Sequence, residues 1–492
     1  MTVHLKQDEP DTSNRLDGMK QGVIGQPISR VESLAKVTGT APYAAEYPIE
    51  GCVEGVLATA TITRGEILKI DKDSVLGMPG VIAVIDDPRL TTRAAQGTAN
   101  EAPQQSPRTV CYWGQPIALV VAETFEQARD AAKYLAVEYR PDDGAPLSPD
   151  AVQPEEQEDE TVRQGDLVHA MSEAAHSVDV TFTTKGHASA AMEPHAAIAQ
   201  WDGDQLTVHA SLQMLNYNIS ELADAIDLPE EKVRLVSRFV GGGFGSKLGV
   251  SEETVAAAIA AMQLERPVRV VMSRQQVFQC IMRRSETTQR LRLAADQKGR
   301  LTGFGHEALV SNLPGENFAE PVLQSSHFLY AAQNRKLMLE VARIHRMTAG
   351  SVRAPGEAVG MPALEGAMDV LAERAGIDPV ELRLRNIPKE NPEEGLPFSS
   401  HKLAECLREG AEAFGWDSGP RKPRQKREGE WWVGTGMASA ARVHNVGEAK
   451  ARVTLKPDGT ALVETDMTDI GTGTYTILAQ IAGEMLGLDP EN

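Results

Sequence analysis

The sequence has few cysteines and no cluster of them. Four occur in 492 residues, at Cys52, Cys111, Cys280 and Cys406, and no two stand in a Cys-x-x-Cys spacing. Iron–sulfur clusters and structural zinc sites normally need such spacings. We therefore expect this chain to hold neither, and we interpret the four cysteines as buried free thiols.

Positive charge and long apolar runs are also scarce. The formal net charge of -20 argues against a nucleic-acid partner, because a phosphate backbone needs a basic face. No apolar run approaches the roughly 20 residues that span a bilayer, so we predict no membrane span. The polar start, "MTVHLKQDEPDTSNRLDGMKQG", has no hydrophobic region typical of an export signal. We predict that residues 1–22 form a flexible arm.

The chain is too long for one ordinary domain, and shifts in composition divide it. Stretches rich in proline and charged residues predict linkers between compact units. The predicted units are a first α+β domain over 23–139, an acidic linker over 140–165, a larger α+β domain over 166–390, a second linker over 391–430 and a last segment over 431–492.

Several elements can be predicted inside these units. Strands are indicated at 116–121, 199–210 and 266–272, and helices at 124–135, 252–263 and 365–375, the first with a capping box of Thr124 and Gln127. In the last segment, "PDG" between two apolar runs predicts a hairpin, followed by a helix over 474–486. A hairpin and one helix cannot cover their own apolar faces. The last segment therefore either packs back on the larger domain or begins an incomplete domain, which we favour.

The most unusual stretch is "RFVGGGFGSKLG" at residues 238–249. It is not a Walker loop, because Ser246 precedes Lys247 and Leu248 follows. It is not a Rossmann fingerprint either, because the third required glycine falls on Ser246. Two alternatives remain open, a tight turn that packs a strand against a helix, or a loop whose bare backbone approaches a ligand.

Two further loops favour the ligand. They are "SVRAPGE" at 351–357 and "DIGTGT" at 469–474, the latter just before a predicted helix. A helix N-terminus presents N–H groups and positive potential to an anion. Three such loops without a cluster of metal ligands predict a large, polyanionic cofactor held without covalent bonds. The cluster His187, Glu193 and His195 matches no common metal-ligand spacing, and we interpret Met192-Glu193-Pro194 as a structural turn.

At these motifs the sequence resembles the molybdenum-binding large subunits of the xanthine dehydrogenase and aldehyde oxidase family, above all the bacterial periplasmic aldehyde oxidoreductases. The resemblance starts near Gly25 and includes "RVESLAKVTGTAPYAAEY", "GQPIALVVAETFEQARDAA", "AMEPHAAIAQWDGDQL", "VGGGFGSK", "VRAPGEA", "GIDPVELRLRN" and "VETDMTDIGTGTYTILAQIAGEMLG". It implies an α+β fold, with an N-terminal α/β-hammerhead-like domain followed by molybdopterin-binding domains, the last of them incomplete.

The resemblance also implies a cofactor and its contacts. The cofactor is molybdenum on molybdopterin, in bacteria usually the cytosine dinucleotide form, and the metal receives no ligand from a side chain. Gln213 would contact the apical oxo group, and Arg442 would face the substrate. The remaining cofactor contacts implied are Gly242, Gly243, Phe244, Gly245, Arg353, Ala354, Ile470, Gly471 and Thr472.

The activity implied is oxidation of aldehydes to carboxylic acids, with an arginine stabilising charge on the carbonyl oxygen. Relatives that act on purines carry a glutamate where Leu248 stands, so xanthine is disfavoured. Relatives that oxidise carbon monoxide carry a cysteine on the arginine-bearing loop, and residues 340–360 contain none. Since this chain has no iron–sulfur cysteines, the electrons would leave through an iron–sulfur (2Fe-2S) subunit and an FAD subunit, giving a heterotrimer. Export with a signal-bearing partner would place it in the periplasm, the alternative being the cytoplasm.

One feature departs from the family pattern. The family's general-base glutamate belongs to a motif near its C-terminus, and no glutamate of residues 1–492 matches it. We therefore expect the N-terminal portion of a subunit, either truncated or split. Two rival interpretations stay open, a cofactor-binding module without turnover of its own and a nicotinamide-dependent dehydrogenase.

Overall fold

A computed structural model describes residues 22–97, 101–103, 106–398, 400–419, 424–442 and 449–490. Of the arm predicted over 1–22, only Gly22 lies within this described part. The amides of Gly22 and Val23 donate to Glu484 Oε2 at 2.9 and 2.6 Å. The start of the described chain is thus bound to the last helix.

The first part of the chain contains six strands and three helices within the described residues. In chain order they are α1 Ser33–Val37, β1 Val53–Thr59, β2 Gly65–Asp71, α2 Asp73–Leu76, β3 Val81–Ile85, β4 Thr109–Val110, β5 Pro116–Ala122, α3 Phe125–Tyr134 and β6 Ala136–Pro141. The predicted capping box is present, because Gln127 N donates to Thr124 Oγ1 and Thr124 N donates to Gln127 Oε1.

The middle part contributes most of the strands. Its elements are β7 Glu155–Glu156, β8 Val162–Gln164, α4 Leu167–Ser172, β9 His176–Thr184, β10 His187–Ala188, β11 Ala196–Trp201, β12 Leu206–Ala210, α5 Leu215–Ala225, β13 Val233–Val236, α6 Glu252–Leu264, β14 Val268–Val271, α7 Arg274–Cys280, β15 Arg283–Arg284, β16 Thr287–Ala295, β17 Leu301–Asn312, β18 Asn334–Arg343, α8 Glu357–Ala375 and α9 Pro379–Asn386.

The last part is sparser. It contains α10 Leu403–Phe414, β19 Lys426–Glu428, β20 Trp431–Val433, β21 Arg452–Leu455, β22 Ala461–Glu464 and α11 Thr474–Leu486. The hairpin of β21 and β22 and the helix α11 confirm the elements predicted there. No described helix combines the length and the apolarity that a bilayer span requires.

The largest sheet joins the first and middle parts of the chain. Its seven strands run in the order β13-β12-β11-β14-β1-β5-β3, and β1 pairs in parallel with β14, Val53 opposite Val268. All seven residues of β5 are buried. Strands buried on both faces read as continuous apolar runs, which is why β5 was predictable. The boundary predicted over 140–165 therefore does not separate two independent sheets.

Helix α6 covers one face of this seven-stranded sheet and packs on β11 and β14. The stretch Val255 to Ala261 is fully buried. A helix that is apolar on all sides is a buried helix, and its alanines let it lie close to the sheet. The sheet therefore fixes the position of the N-terminus of α6 firmly.

A second sheet runs in the order β7-β18-β17-β16-β9, with β8 also paired to β18. Helix α8 packs on β9 and β16. The helix begins at Glu357, earlier than the predicted 365, and it continues through Pro362. A proline inside a helix removes one backbone hydrogen bond and normally kinks or ends the helix, so this start is not apparent from the local sequence. A smaller sheet of β4, β2 and β6 completes the first part.

Both predicted linkers contain ordered elements. Residues 140–165 supply β7 and β8 to the edge of the second sheet, where Glu155 pairs with Arg343 at 2.9 Å. Residues 391–430 contain α10. Composition rich in proline and charged residues indicates solvent exposure, which linkers, edge strands and surface helices share.

The prediction of four buried thiols is wrong for most of them. Cys280 is buried, Cys52 and Cys111 are half-buried and Cys406 is exposed. Cys406 lies on the surface helix α10, in the stretch that composition had assigned to a linker.

Candidate cofactor site

The segments predicted to bind a cofactor all connect a strand to the N-terminus of a helix. Gln213 lies between β12 and α5, and the glycine loop (residues 237–251) lies between β13 and α6. The arginine loop (344–356) joins β18 to α8, and the third loop (465–473) joins β22 to α11. Such connections carry backbone N–H groups that have no partner inside their helix.

The glycine loop has an unusual backbone. Gly242 and Gly245 both have φ of 96°, and Phe244 between them has φ of 55°. A non-glycine residue in the left-handed region is strained by roughly 1–2 kcal/mol, and such strain clusters at ligand sites. The ring of Phe244 is nevertheless 40% exposed. The fold thus holds an aromatic side chain at the surface of the loop at a conformational cost.

Close approaches bring the glycine loop against two neighbours. A Cβ on Gly243 would lie 2.1 Å from Gln213 Oε1, and a Cβ on Gly245 would lie 1.8 Å from Ser351 O. The amide of Gly245 donates to Gln213 Oε1 at 3.2 Å, and the amide of Arg353 donates to Phe244 O at 2.7 Å. The structure therefore brings Gln213, the glycine loop and the arginine loop together.

Buried charges hold the arginine loop from behind. Arg284, 3% exposed, donates to the carbonyls of Val352 and Ala354 at 3.0 and 3.3 Å. Glu320 accepts from Gly356 N at 2.7 Å. Ala354 has φ of 53°, so this loop too contains a strained non-glycine residue. The side chain of Arg353 is exposed, and none of the ion pairs in the described part of the chain uses it.

Arg442 lies next to the start of α8. Its Nη1 donates to Glu357 Oε2 at 2.8 Å, and the arginine side chain is 58% exposed while that of Glu357 is 8% exposed. Because Glu357 follows the arginine loop directly, the structure places Arg442 beside that loop with much of its guanidinium accessible. The three residues that follow Arg442 in "ASAARVHN", 443–445, lie outside the described residues.

The third loop contains a carboxylate that accepts from its amides. The amide of Gly471, one of the predicted cofactor contacts, donates to Asp469 Oδ1 at 2.7 Å, and the amides of Gly473 and Tyr475 also reach the Asp469 carboxylate at 3.4 Å. Burial alone would raise the pKa of Asp469, but these three amides lower it below its usual value. The carboxylate therefore occupies positions that an anionic ligand would use.

The third loop contacts the other segments through residues next to Ile470, Gly471 and Thr472. Met467 forms a bridge to Met214, and Tyr475 Oη donates to Arg238 O at 3.3 Å. No hydrogen bond within the described residues joins Ile470, Gly471 or Thr472 to the glycine loop. A cavity of about 680 Å³ is lined mainly by α11 and β22, and also by Val31, Glu32 and Ala35 and by Arg238 and Phe239 of the glycine loop. The third loop adjoins the segments that flank Gln213 and the glycine loop.

Sequence reasoning missed the side chains that support the glycine loop. Lys247 is fully buried and its Nζ lies 2.9 Å from Glu193 Oε2. Burial, and then the charge of Lys247, lowers the pKa of His195 to about 3, so the ring is neutral. Its Nε2 lies 3.0 Å from Ser246 O, so Nε2 carries the proton and donates. The sequence signal for this support was a charged residue inside each of two largely apolar or glycine-rich stretches, Glu193 in "AMEPHAAIA" and Lys247 in "GSKLGV".

The residues present fit a polyanionic group held without a side-chain ligand. Among the described residues no group of three or more His, Cys, Asp or Glu could hold a metal ion. Instead, Gly243 and Gly245 let the loop backbone pack directly against Gln213 and Ser351, and Phe244 and Arg353 are exposed beside them. Backbone amides, one carboxamide and guanidinium groups are donors suited to oxo and phosphate oxygens.

Three family models match the chain. They describe an aldehyde oxidase and xanthine dehydrogenase a/b hammerhead domain over residues 38–143, and molybdopterin cofactor-binding domains over residues 151–387 and 409–492. The glycine and arginine loops fall in the second of these ranges, and Arg442 and the third loop fall in the last.

Known proteins agree with these models. The chain is 43% identical to the aldehyde oxidoreductase molybdenum-binding subunit PaoC of Escherichia coli O157:H7, over 99% of this chain and 67% of that protein. It is 28% identical to the xanthine dehydrogenase molybdenum-binding subunit of the same organism, over 93% of this chain and 65% of that protein. The aldehyde oxidoreductase from Desulfovibrio desulfuricans ATCC 27774 shares the fold, with a TM-score of 0.81 at 21% identity over 96% of this chain and 57% of that one.

The chain thus spans about two thirds of the length of these curated relatives. The architecture is the mixed α+β arrangement of hammerhead and molybdopterin-binding domains that the resemblance implied. The chain belongs to the molybdenum-binding subunits of the xanthine dehydrogenase and aldehyde oxidase family of oxidoreductases.

Proposed function

We propose that this chain forms the catalytic, molybdenum-cofactor-binding part of an aldehyde oxidoreductase that converts aldehydes to carboxylic acids. The observation that carries the proposal is the meeting of Gln213, the glycine loop and the arginine loop, joined by the hydrogen bonds Gly245–Gln213 and Arg353–Phe244. Together these three segments form the proposed cofactor-binding surface, beside the exposed side chain of Arg353.

The reaction takes one oxygen atom from water and releases two electrons and two protons for each aldehyde oxidised. When bound, the molybdenum cofactor supplies this two-electron oxidation at the aldehyde carbon. The residues of the chain bind the cofactor, orient the aldehyde and stabilise charge on its oxygen.

Gln213 and the glycine loop act as the binding wall. Because Gln213 Oε1 already accepts from Gly245 N, its Nε2 keeps two donors for an oxo group. Phe244 adds an exposed ring that excludes water from one side of the site.

Arg442 is suited to the aldehyde. Its guanidinium is anchored on one edge by Glu357 and exposed elsewhere, so it can donate to the carbonyl oxygen as negative charge develops there. Leu248 is half-buried at the end of the glycine loop and cannot hydrogen-bond a purine ring. The 43% identity to an aldehyde-oxidising subunit, against 28% to a xanthine dehydrogenase subunit, supports the same choice.

The cytosine dinucleotide form of the cofactor, the partner subunits and the compartment are further parts of the proposal. The electrons would pass to a 2Fe-2S subunit and an FAD subunit in a heterotrimer, and the complex would reach the periplasm with a signal-bearing partner. The support is the resemblance to periplasmic aldehyde oxidoreductases together with the scattered cysteines of this chain. Fractionation of the cells that express the complex separates the periplasm from the cytoplasm, the alternative location.

The test is to express the full-length protein with its partner subunits in cells that make the cofactor. We expect about one molybdenum per chain, release of CMP on acid hydrolysis, and turnover of aldehydes without added nicotinamide. Turnover of xanthine instead would overturn the substrate assignment, and a molybdenum-free protein would overturn the cofactor assignment. A loaded but inactive protein would favour the alternative, a cofactor-binding fragment without activity of its own.

A further inference from the structure

The glycine loop is held by a buried ion pair whose two members are far apart in sequence. The side chain of Lys247 is fully buried and that of Glu193 is 11% exposed. Lys247 Nζ donates to Glu193 Oε2 at 2.9 Å, to Glu193 O at 3.1 Å and to Ser211 Oγ at 2.7 Å. These three contacts use all three hydrogens of the ammonium group.

The carboxylate of Glu193 reaches the other end of the loop. Its Oε2 accepts from Gly241 N at 2.7 Å and from the hydroxyl of Ser211, and its Oε1 accepts from Ala44 N at 3.3 Å. A Cβ on Gly241 would lie 2.4 Å from the Cβ of Glu193, so the loop backbone rests directly on this side chain.

The pair therefore fixes the glycine loop at Gly241 and at Lys247. The segment between them contains Gly243 and Phe244, the residues proposed to face the cofactor. Lys247 O also accepts from Gln213 N at 2.8 Å, and Ser211 stands two residues before Gln213. One buried network thus connects both ends of the loop with the strand end that carries Gln213.

We propose that Glu193 and Lys247 are positioning residues, which set where Gly243, Phe244 and Gln213 lie relative to the cofactor. The inference rests on the proposed function, because it concerns the same site. Their own atoms lie behind the loop and act through it. Residues of this kind commonly change metal affinity or activity by about 10- to 100-fold when they are removed.

The energetics of buried pairs suggest how to separate positioning from folding. Removal of one partner leaves the other charge buried and unpaired, which destabilises any protein. Replacement of both partners by apolar residues of similar size removes that penalty. The Glu193→Leu/Lys247→Met double variant would therefore recover the fold while Gly241 N and Ser211 lose the partner that located them.

A matched control exists in the second sheet. Arg335 is fully buried and its Nη1 lies 2.8 Å from the carboxylate of Glu393, which is 24% exposed. Arg335 is otherwise bound to the carbonyls of Ser326 and His327. The Glu393→Leu/Arg335→Met variant removes a comparable pair outside the cofactor loops.

The experiment compares both double variants with the parent, each as the full-length protein expressed with its partner subunits. The measurements are molybdenum per chain, kcat and KM for an aldehyde, thermal stability, and hydrogen exchange of the amides in residues 238–249 in protein from cells unable to make the cofactor. We expect the Glu193→Leu/Lys247→Met variant to lose molybdenum or kcat by about 10- to 100-fold and to exchange its loop amides at least about tenfold faster. The control variant should keep the parental molybdenum content, kcat and exchange of the loop amides.

Parental molybdenum content, kcat and loop exchange in the Glu193→Leu/Lys247→Met variant would overturn the inference. If that variant does not fold, Glu193→Gln provides the second test, since it keeps the shape but loses the charge. Faster exchange confined to the loop supports positioning, and unchanged exchange overturns it. The exchange measurement needs no cofactor. A molybdenum-free parent would therefore overturn the proposed function, while the exchange result would still decide whether Glu193 and Lys247 position the loop.

Discussion

Two strand-to-helix loops of this protein are held in opposite ways. In the glycine loop, Gly241 N donates to Glu193, a residue 48 positions away in sequence. In the third loop, Gly471 N donates to Asp469, two positions away. The third loop binds its own amides through a carboxylate of the same loop, although Arg30 also donates to Gly471 O at 2.7 Å. The amide of Gly241 instead depends on an acceptor that is distant in sequence. The difference predicts that substitutions at the glycine loop damage both the fold and the site, and that substitutions in the last segment damage one at a time.

The largest effect is expected at Gly245. Its φ is 96° and a Cβ would lie 1.8 Å from the backbone oxygen of Ser351. Gly245→Ala should therefore cost at least about 3 kcal/mol of unfolding free energy, since a backbone atom cannot move aside without displacing the arginine loop. Urea unfolding and molybdenum content measure the two consequences.

Gly459 in the hairpin of the last segment is the matched control. Its φ is 85° and nothing lies within 4 Å of a Cβ there. Gly459→Ala should cost only about 1–2 kcal/mol and leave the molybdenum content unchanged. Equal losses at the two glycines would remove the distinction between the loops.

The next effect, at Arg442, is expected mainly on activity. Arg442→Ala should lower kcat/KM for aldehydes by about 10²–10³-fold, because a donor to the developing negative charge is lost. The free energy of unfolding should fall by only about 1–2 kcal/mol, because the arginine side chain is 58% exposed although Glu357, 8% exposed, loses its partner.

Lys426→Ala offers a control for that substitution. Lys426 pairs with Glu428 at 2.6 Å on the exposed strand β19, and both side chains are more than half exposed. Removing this cation should change neither kcat/KM nor stability measurably. A loss of stability in the Arg442 variant that matched its loss of activity would argue for a structural role of the ion pair with Glu357.

A smaller effect is predicted where the glycine loop enters α6. Burial raises the pKa of Glu253 to about 7 against a usual 4.5, although Thr254 and the charge of Lys247 oppose the shift. Because the folded protein binds this proton more tightly than the unfolded chain, stability falls as the pH rises from about 4.5 to about 7. Glu253→Gln removes that loss and should be about 2–3 kcal/mol more stable than the parent at pH 8, with little difference at pH 4.5.

The pH series of urea unfolding curves decides this point. A Glu253→Gln variant as pH-dependent as the parent over this range would show that Glu253 is ionised in the fold, near the positive charge of Lys247. That outcome would strengthen the contrast between the loops, since a further buried charge would then support the glycine loop.

The smallest effect is expected in the third loop. Asp469→Ala removes the acceptor for Gly471, Gly473 and Tyr475 and should cost about 1 kcal/mol, the usual value of a lost helix cap. Hydrogen exchange should rise within residues 469–475 and stay unchanged in residues 238–249. Faster exchange in both loops would contradict a purely local role of Asp469.

Elements with a strong local signal were predictable. The helix predicted over 474–486 is α11 with the same bounds, and the buried strand at 116–121 is β5. The capping box of Thr124 and Gln127 follows from two letters three positions apart. Each of these depends on contacts inside one window of sequence, which a single chain displays directly.

What could not be predicted depends on partners distant in sequence. Lys247 and Glu193 are 54 positions apart, and the pairing of β1 with β14 crosses the whole acidic stretch. Acidic composition at 155–160 indicated a linker, yet Glu155 forms an ion pair with Arg343 of the neighbouring strand β18. The individual site residues came from family resemblance, and their roles as cofactor contacts remain predictions that the experiments above address.

The pairing of β1 with β14 has a consequence for biosynthesis. The ribosome adds about 5–20 residues per second, so about 210 residues and roughly 10–40 s separate the completion of Thr59 from that of Val271. Until then one long edge of β1 has no neighbour, and an exposed strand edge invites pairing with other chains. The N-terminal region therefore cannot complete its sheet until β14 has been synthesised. We expect this architecture to assemble slowly and to benefit from chaperones that cover the open edge of β1.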